Sequence, residues 1–270
     1  MNITMLGTGH ATVTRCYNTC FVLQEKLSYP EEYFLVDGGG GNTILKQLEA
    51  AEIDWKKIRT IFVTHKHLDH LMGVIWLIRI ASEFMSCGQY EGNITIYAHD
   101  ELATTLRNIS ELLLNDKEKF FLGKRIFFTT VCDTECKTIL GKQVTFFDIH
   151  SIKTKQYGFC MELGKNRKLT CLGDEPCNKN TLHYVKNSEW LLHEAFCLYT
   201  EADTFKPYEK QHSTVKEACE IAQAMNIKNL LLYHTEDFNI TNRKQLYTTE
   251  GKKYYTGNLF IPNDLEKIDL

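Results

Sequence analysis

Apolar and polar positions alternate along the chain in short blocks that predict strands and helices in turn. Runs dominated by apolar residues, such as IRTIFVT and NLLLYHT, predict buried strands. Segments in which apolar residues recur at a spacing of three and four predict helices, as in LMGVIWLIRIASEF and STVKEACEIAQAMNI. Asp100 is expected near the start of the helix DELATTLRNISELLLN, and Asn42 or Thr43 is expected to cap the amphipathic helix in YFLVDGGGGNTILKQLEAAEI.

The order of these blocks predicts two similar halves, each with a sheet and helices. Strand and helix alternate up to about residue 115, and the middle is then rich in predicted strands: KRIFFTTV, KQVTFFDIH, YGFCMEL and KLTCLG. Alternation resumes with EWLLHEA. This pattern favours an α/β protein with two sheets over one doubly wound sheet. With four prolines and no Gly/Ser-rich linker, residues 1–270 are expected to form a single domain.

Composition excludes some function classes and leaves others open. The formal charge of −3 gives no overall attraction to nucleic acid or to an anionic membrane. No uninterrupted apolar run is long enough to cross a bilayer, so no membrane partner is expected. The start, MNITMLGTGHA, lacks the features of a secretory leader, so the ten cysteines are interpreted as reduced thiols of a cytoplasmic protein.

Metal-ligand side chains are concentrated in FVTHKHLDHLMG, residues 62–73, directly after a predicted strand. The cluster comprises His65, His67, Asp69 and His70, and further candidates end other predicted strands, namely His150, Asp174 and His234. Strand ends in α/β proteins meet at a common rim where ligands bind. Imidazoles and carboxylates suit Zn²⁺, Mn²⁺ or Fe²⁺.

The short spacing indicates two adjacent metal ions. In His-x-His, both imidazoles can reach one ion from an extended turn, and Asp69 and His70 then face a second ion. Two metals ~3.5–4 Å apart stabilise both the attacking and the leaving oxygen of a displacement. An isolated histidine is more often a hydrogen-bonded core or surface residue, and that interpretation is kept for His10, His99 and His183.

The stretch THKHLDH resembles the H-x-H-x-D-H signature of the metallo-β-lactamase superfamily. The resemblance implies an α/β (α+β) fold, the αββα sandwich of two β-sheets flanked by helices, with two divalent metal ions, zinc first and manganese or iron as alternatives. It implies that one metal is held by His65, His67 and His150, the other by Asp69, His70 and His234, with Asp174 bridging them. Asp37 resembles the aspartate that supports the metal-binding loop.

Other stretches resemble ribonuclease Z, the tRNA 3′-processing endonuclease. They are LGTGHATVTRCYN, VDGGGGNTILKQL, HSIKTKQYG, LLHEAF and QHST. The resemblance implies a phosphodiesterase in which a metal-bound hydroxide attacks phosphorus, Asp69 orients the water, and His212, oriented by Glu194, protonates the leaving group. The implied substrate is RNA. It also implies a homodimer, for which LMGVIWLIRIASEF could supply a face; packing on the sheet is the commoner fate of a helix with that pattern.

Departures from ribonuclease Z leave the substrate open. His150 and Asp174 are only 24 positions apart (174 − 150), too few for the arm that grips tRNA, and Phe196 and Glu175 stand where that family has threonine. The short segment resembles the cyclic nucleotide phosphodiesterase of the phosphonate pathway, which acts on small phosphodiesters. Hydrolysis of a lactone, thioester or sulfate ester, and a non-catalytic metal-binding scaffold, are further alternatives.

Overall fold

The structure is a computed structural model that describes residues 1–26 and 31–270. Internal contacts divide the chain into two compact units. Unit 1 consists of Met1–Gly7, Tyr17–Cys132 and Leu265–Leu270, and unit 2 of Thr8–Cys16 and Asp133–Asp264. The single-domain organisation stays a prediction. Within the two described ranges, no helix is long and apolar enough to cross a membrane.

Fourteen strands and eight α-helices make up the described chain. The strands are β1 (Asn2–Gly7), β2 (Cys20–Gln24), β3 (Tyr33–Val36), β4 (Ile58–Phe62), β5 (Ile94–Ala98), β6 (Ile126–Thr130), β7 (Cys136–Ile139), β8 (Lys142–Asp148), β9 (Tyr157–Gly164), β10 (Arg167–Cys171), β11 (Trp190–Glu194), β12 (Asn229–Tyr233), β13 (Asn258–Phe260) and β14 (Lys267–Asp269). The helices are α1 (Thr43–Ala50), α2 (Leu68–Ser86), α3 (Asp100–Leu113), α4 (Asp116–Lys119), α5 (Leu182–Val185), α6 (Ala202–Phe205), α7 (Val215–Ala224) and α8 (Arg243–Gly251).

Unit 1 is built on a seven-stranded mixed sheet in the order β14-β1-β2-β3-β4-β5-β6. Strands β3, β4, β5 and β6 are parallel, so their carboxyl ends lie at the same edge. Asp37 follows β3 directly, and the segment with the histidine cluster follows β4. The buried side of α2, including Val74 and Ile78, packs into the apolar core of this unit.

Unit 2 is built on a second seven-stranded mixed sheet, in the order β13-β12-β11-β10-β9-β8-β7. Strands β10, β11, β12 and β13 are parallel, and the strands from β7 to β10 pair as antiparallel neighbours. The parallel strands again deliver candidate residues to one edge, with Asp174 after β10, Glu194 at the end of β11 and His234 after β12.

A glycine contact sets the position of α2 in unit 1. The backbone N–H of Gly73 donates to Gly39 O at 2.9 Å, and Gly38 N–H donates to His70 O at 2.8 Å. A Cβ atom on Gly73 would lie 1.8 Å from Gly38 O, so only glycine permits this approach. The contact holds the first turn of α2, which carries Asp69 and His70, against the turn that follows Asp37.

The helix predictions were confirmed, and the caps were confirmed in part. Helix α3 begins at Asp100, and the preceding His99 accepts a hydrogen bond from Leu102 N. Asn42 occupies the cap position of α1 but makes no side-chain capping bond. Helix α7 begins after Thr214, which forms a reciprocal capping box with Glu217.

Candidate metal and proton-transfer site

Asp37 organises the histidine cluster of unit 1. Its Oδ1 accepts a hydrogen bond from Thr64 N at 2.8 Å, and its Oδ2 accepts from Thr64 Oγ1 at 2.9 Å and from His70 Nδ1 at 2.7 Å. These contacts give Asp37 the supporting role that the resemblance implied. A carboxylate that fixes a ligand histidine in this way raises the basicity of the opposite ring nitrogen.

His65 and His67 direct ring nitrogens at each other. Thr64 Oγ1 donates to Asp37, so the 3.0 Å contact with His65 Nδ1 makes that nitrogen the donor. His65 Nε2 therefore presents a lone pair, and it lies 2.8 Å from His67 Nδ1. A cation shared by the two nitrogens suits this geometry. The His-x-His pair therefore offers two imidazole nitrogens at ligand spacing, and the hydrogen bond at Nδ1 of His65 leaves its Nε2 as a lone-pair donor.

Asp69 and His70 form the second ligand pair of unit 1. Both side chains are buried, and His70 Nε2 lies 3.3 Å from Asp69 Oδ2. Burial lowers the pKa of His70, but the nearby carboxylates of Asp69 and Asp37 outweigh it and hold that pKa well above its usual range. The carboxylates of Asp69 and Asp37 thus create a buried negative potential that stabilises positive charge at this point. The donor set of unit 1 fits a divalent metal.

Asp174 and His234 converge at the edge of the unit 2 sheet. Asp174 Oδ1 accepts a hydrogen bond from Gln156 Nε2 at 2.7 Å, and its Oδ2 lies 3.5 Å from His234 Nε2. One ligand-type atom of each of Asp174, His234 and His212 lies within 4.8 Å of the others. Two imidazoles and a carboxylate around one point also fit a divalent metal.

Glu194 lies beside His212 in the same unit. Glu194 is fully buried; its Oε1 accepts from Ser213 N at 2.7 Å and from Ser213 Oγ at 2.6 Å. Its Oε2 lies 3.4 Å from His212 Nδ1. Two hydrogen bonds hold the carboxylate in place, so it can fix the histidine tautomer that carries a proton on Nδ1. This arrangement suits proton transfer at the other ring nitrogen.

His150 is not grouped at ligand distance with this cluster. It is exposed after β8, and its backbone N–H donates to Asp148 Oδ1 at 2.7 Å. In the described part of unit 2, the residues grouped at ligand distance are Asp174, His212 and His234. The assignment of His150 as a metal ligand therefore stays a prediction.

Three candidate residues at strand ends share a left-handed backbone. The φ angles are +57° at Asp37, +58° at His150 and +59° at His234. This conformation costs an L-residue roughly 1–2 kcal/mol, and such backbone strain clusters at functional sites. The conformation turns the chain sharply at the point where each side chain leaves the sheet edge.

Sequence reasoning missed two contributors to unit 2, Gln156 and Phe196. Gln156, fully buried, holds Asp174 as described above. Phe196 was noted only as a departure from threonine, but its ring stacks on His212 with centroids 5.1 Å apart and lies 4.5 Å from that of His10. Gln156 precedes the Tyr-Gly pair of HSIKTKQYG, which is the signal that could have found it.

Removing the Asp37 carboxylate is expected to weaken metal binding. In Asp37→Ala, Thr64 and His70 lose their shared acceptor, and metal affinity should fall about 10–100-fold, the usual effect of losing such a partner. Competition with a chromogenic chelator measures the change. Asp54→Ala removes an exposed carboxylate of the same unit and should leave affinity unchanged. Equal affinities of Asp37→Ala and the unmodified protein would contradict the supporting role.

Comparison with known proteins places the chain among metallo-β-lactamase-fold proteins. The family model described as "Anti-Pycsar protein Apyc1" matches residues 1–253. A ribonuclease Z of Microcystis aeruginosa is 26% identical over 87% of this chain and 84% of its own length. Among solved structures, the metallo-β-lactamase fold protein YhfI from Bacillus subtilis aligns with a TM-score of 0.77 at 18% identity, covering 99% of this chain and 98% of that one. A diphosphatase from the PhnP family aligns with a TM-score of 0.73 at 17% identity, over 100% and 97%. These similarities confirm the predicted fold class.

Proposed function

The chain belongs to the Anti-Pycsar protein Apyc1 family and is a ribonuclease Z-like member of the metallo-β-lactamase superfamily, and from this premise we propose a metal-dependent phosphodiesterase that acts on a small cyclic nucleotide. The observation that carries the proposal is the Glu194–His212 pair beside Asp174 and His234 in unit 2. A hydrolase whose leaving group is an alkoxide needs a proton donor of this kind.

The proposal assigns two divalent ions to the ligands predicted from the sequence. One set is His65, His67 and His150, the other is Asp69, His70 and His234, and Asp174 is shared. Bound there, the ions would activate a water molecule and balance negative charge at phosphorus. The imidazole and carboxylate donors favour zinc, with manganese and iron as alternatives.

The residues of the chain supply the remaining steps. Asp69, as well as being a ligand, is assigned to orient the attacking water. His212 gives its proton to the departing ribose oxygen, and the carboxylate of Glu194 stabilises the ring while it is charged. Phe196 stacks on the imidazole, with ring centroids 5.1 Å apart, and limits rotation of the His212 ring.

The choice of a small substrate over RNA rests on the short segment between His150 and Asp174. Most of that segment forms the antiparallel hairpin β9–β10, so too few residues remain for an arm that grips tRNA. Three of its five basic residues are engaged within unit 2: Lys153 lies 3.2 Å from Glu175 Oε2, Arg167 pairs with Glu189, and Lys168 donates to Tyr184 O at 2.6 Å. Tight RNA binding depends on several Lys and Arg contacts with phosphates, and these side chains have acceptors already.

Ribonuclease activity is the second candidate, favoured by the Glu194–His212 arrangement itself, which lies in the two stretches that resemble ribonuclease Z. Metal-reconstituted protein should be assayed side by side on 2′,3′- and 3′,5′-cyclic nucleotides and a 3′-extended precursor tRNA. We expect turnover of a cyclic nucleotide and no defined tRNA cut. A single cut just after the discriminator base would establish the second candidate instead.

The same panel tests the other ester classes. A lactone, a thioester and a sulfate ester are added at equal concentration, with the metal-stripped protein as the matched control. Preference for any of these over every phosphodiester would overturn the proposal. Absence of hydrolysis throughout, in protein that binds metal, would favour a non-catalytic scaffold.

A further inference from the structure

A cavity of about 870 Å³ lies in unit 2 and has His212 in its wall. Its lining comes from the segments 150–152, 175–180 and 208–224. The volume exceeds what a phosphate and ribose need, and it falls in the range of pockets that take whole small molecules. Since His212 is the proposed proton donor, the cavity begins where the leaving group would be.

One face of α7 forms a wall of the cavity. Glu217, Glu220, Ile221 and Ala224 all line it, and their spacing of three and four places them on one side of the helix. The opposite side, which includes Ala218 and Ala222, is buried in the core of unit 2. Packing of its buried face against the core thus holds the helix in place, and the other face presents two carboxylates and two apolar side chains to the cavity.

Glu217 is held rigidly at this wall. Its Oε2 accepts from Thr214 N at 2.8 Å, and its Oε1 accepts from Tyr208 O–H at 2.9 Å. Tyr208 also lines the cavity, and with its proton directed at Glu217 its oxygen can accept from a ligand. Thr214 Oγ1 also donates to Glu217 Oε2, so the oxygen that keeps a second lone pair for a ligand is Oε1. The fixed groups on this side therefore offer acceptors to a ligand.

The charge of the cavity wall is acidic. The charge of Glu175 is neutralised by Lys153, whose Nζ lies 3.2 Å from Glu175 Oε2. Against the two charges of Glu217 and Glu220, the described lining has a single cation, Lys179. A second phosphate placed here would meet like charge, and a neutral ring would not. The apolar side chains Pro176 and Ile221 supply surface for the faces of such a ring.

We propose that this cavity binds the base of a single nucleotide, and that Glu217 and Glu220 select a base with an exocyclic amine over one with a carbonyl at the same position. Carboxylates accept hydrogen bonds from such amines. The proposal rests on the proposed phosphodiesterase function for its substrate class, but the base site is a property of the cavity alone.

Binding of nucleosides tests the site without any reaction. Adenosine has an amine at position 6 and an acceptor at N1, inosine has a carbonyl at position 6 and an N1–H, and neither has a phosphodiester. In calorimetric titrations of the metal-loaded protein, adenosine should bind about tenfold more tightly. Glu217→Gln/Glu220→Gln should remove the difference while keeping the helix cap, since glutamine also serves in a capping box. Equal binding of both nucleosides to the unmodified protein would overturn the proposal.

The control variant is Glu91→Gln/Glu162→Gln, which removes two exposed carboxylates outside the cavity and changes net charge equally. It should keep the tenfold preference. Loss of the preference in this control would show that net charge is responsible, and the assignment to Glu217 and Glu220 would then be wrong.

Kinetics separate failure of the site from failure of the function. The ratio of kcat/KM for 2′,3′-cyclic AMP over 2′,3′-cyclic IMP should be about tenfold and should approach one in the double variant. Ala224→Trp, at an exposed position of the wall, should raise KM for both nucleotides. Bis(p-nitrophenyl) phosphate, which has no base, should be hydrolysed by the unmodified protein and equally by the control variant Glu91→Gln/Glu162→Gln. If only its hydrolysis is seen, the base site is wrong; if it too is absent, the proposed function is wrong.

Discussion

Asp174→Ala is expected to abolish the activity of the protein together with its full metal content. The carboxylate is the proposed shared ligand, and it is buried where Gln156 fixes one oxygen at 2.7 Å and His234 approaches the other at 3.5 Å. Two-metal sites contribute several kcal/mol of charge stabilisation. A loss of about 4 kcal/mol corresponds to a ~1,000-fold decrease in kcat/KM, and we expect at least this.

Metal content per chain, measured by mass spectrometry after dialysis, must be recorded with the kinetics on bis(p-nitrophenyl) phosphate. Asp203→Ala is the matched control, because Asp203 is a fully exposed carboxylate of the same unit. It should retain metal and activity. An Asp174→Ala protein that folds, binds two metals and keeps full activity would show that the metal assignment is wrong. A circular dichroism melt distinguishes metal loss from unfolding.

The histidine motif could be located from sequence because its chemistry is local. IRTIFVT predicted a buried strand, and β4 ends at Phe62, just before the cluster. The helical spacing of LMGVIWLIRIASEF predicted α2, which places Asp69 and His70 in its first turn. Periodicity and residue type decide these features within a few positions, so no knowledge of distant contacts is needed.

Backbone geometry at the sheet edges could not be predicted in the same way. The left-handed φ angles of Asp37 and His234 depend on what packs around them, since an isolated L-residue avoids that conformation. Gln156 reaches Asp174 only because β9 and β10 pair as antiparallel neighbours. Long-range pairing of this kind leaves no periodic signal in either segment.

The cavity could not be predicted from the sequence for a related reason. On α7, the sequence pattern of Glu217, Glu220 and Ile221 is the same as that of an ordinary solvated helix face. The 208–213 segment, whose conformation completes the wall, contains short turns without periodicity. Phe196 was visible in the sequence as a departure from the ribonuclease Z pattern, but only the structure shows that it is the stacking partner of His212.

His212→Ala should slow the reaction in proportion to how much the leaving group needs a proton. A positioned general acid contributes about 10²–10⁴-fold, so turnover of a cyclic nucleotide, which releases a ribose alkoxide, should fall by that factor. Bis(p-nitrophenyl) phosphate releases a stable phenolate and should be affected less than about tenfold, because it needs little help from an acid. Steady-state kinetics on both substrates provide the measurement.

The competing role for His212 is metal ligation, since its ring lies within 4.8 Å of the ligand atoms of Asp174 and His234. Proton donation predicts unchanged metal content and a selective loss; ligation predicts lost metal and an equal loss on both substrates. His183→Ala removes an exposed histidine of the same unit and should change neither quantity. Glu194→Gln should reproduce the selective loss in weaker form, because the amide still orients the ring but no longer stabilises its charge. An equal decrease on the two substrates with metal retained would contradict the donor role, and the 3.4 Å contact between Glu194 and His212 would then be structural.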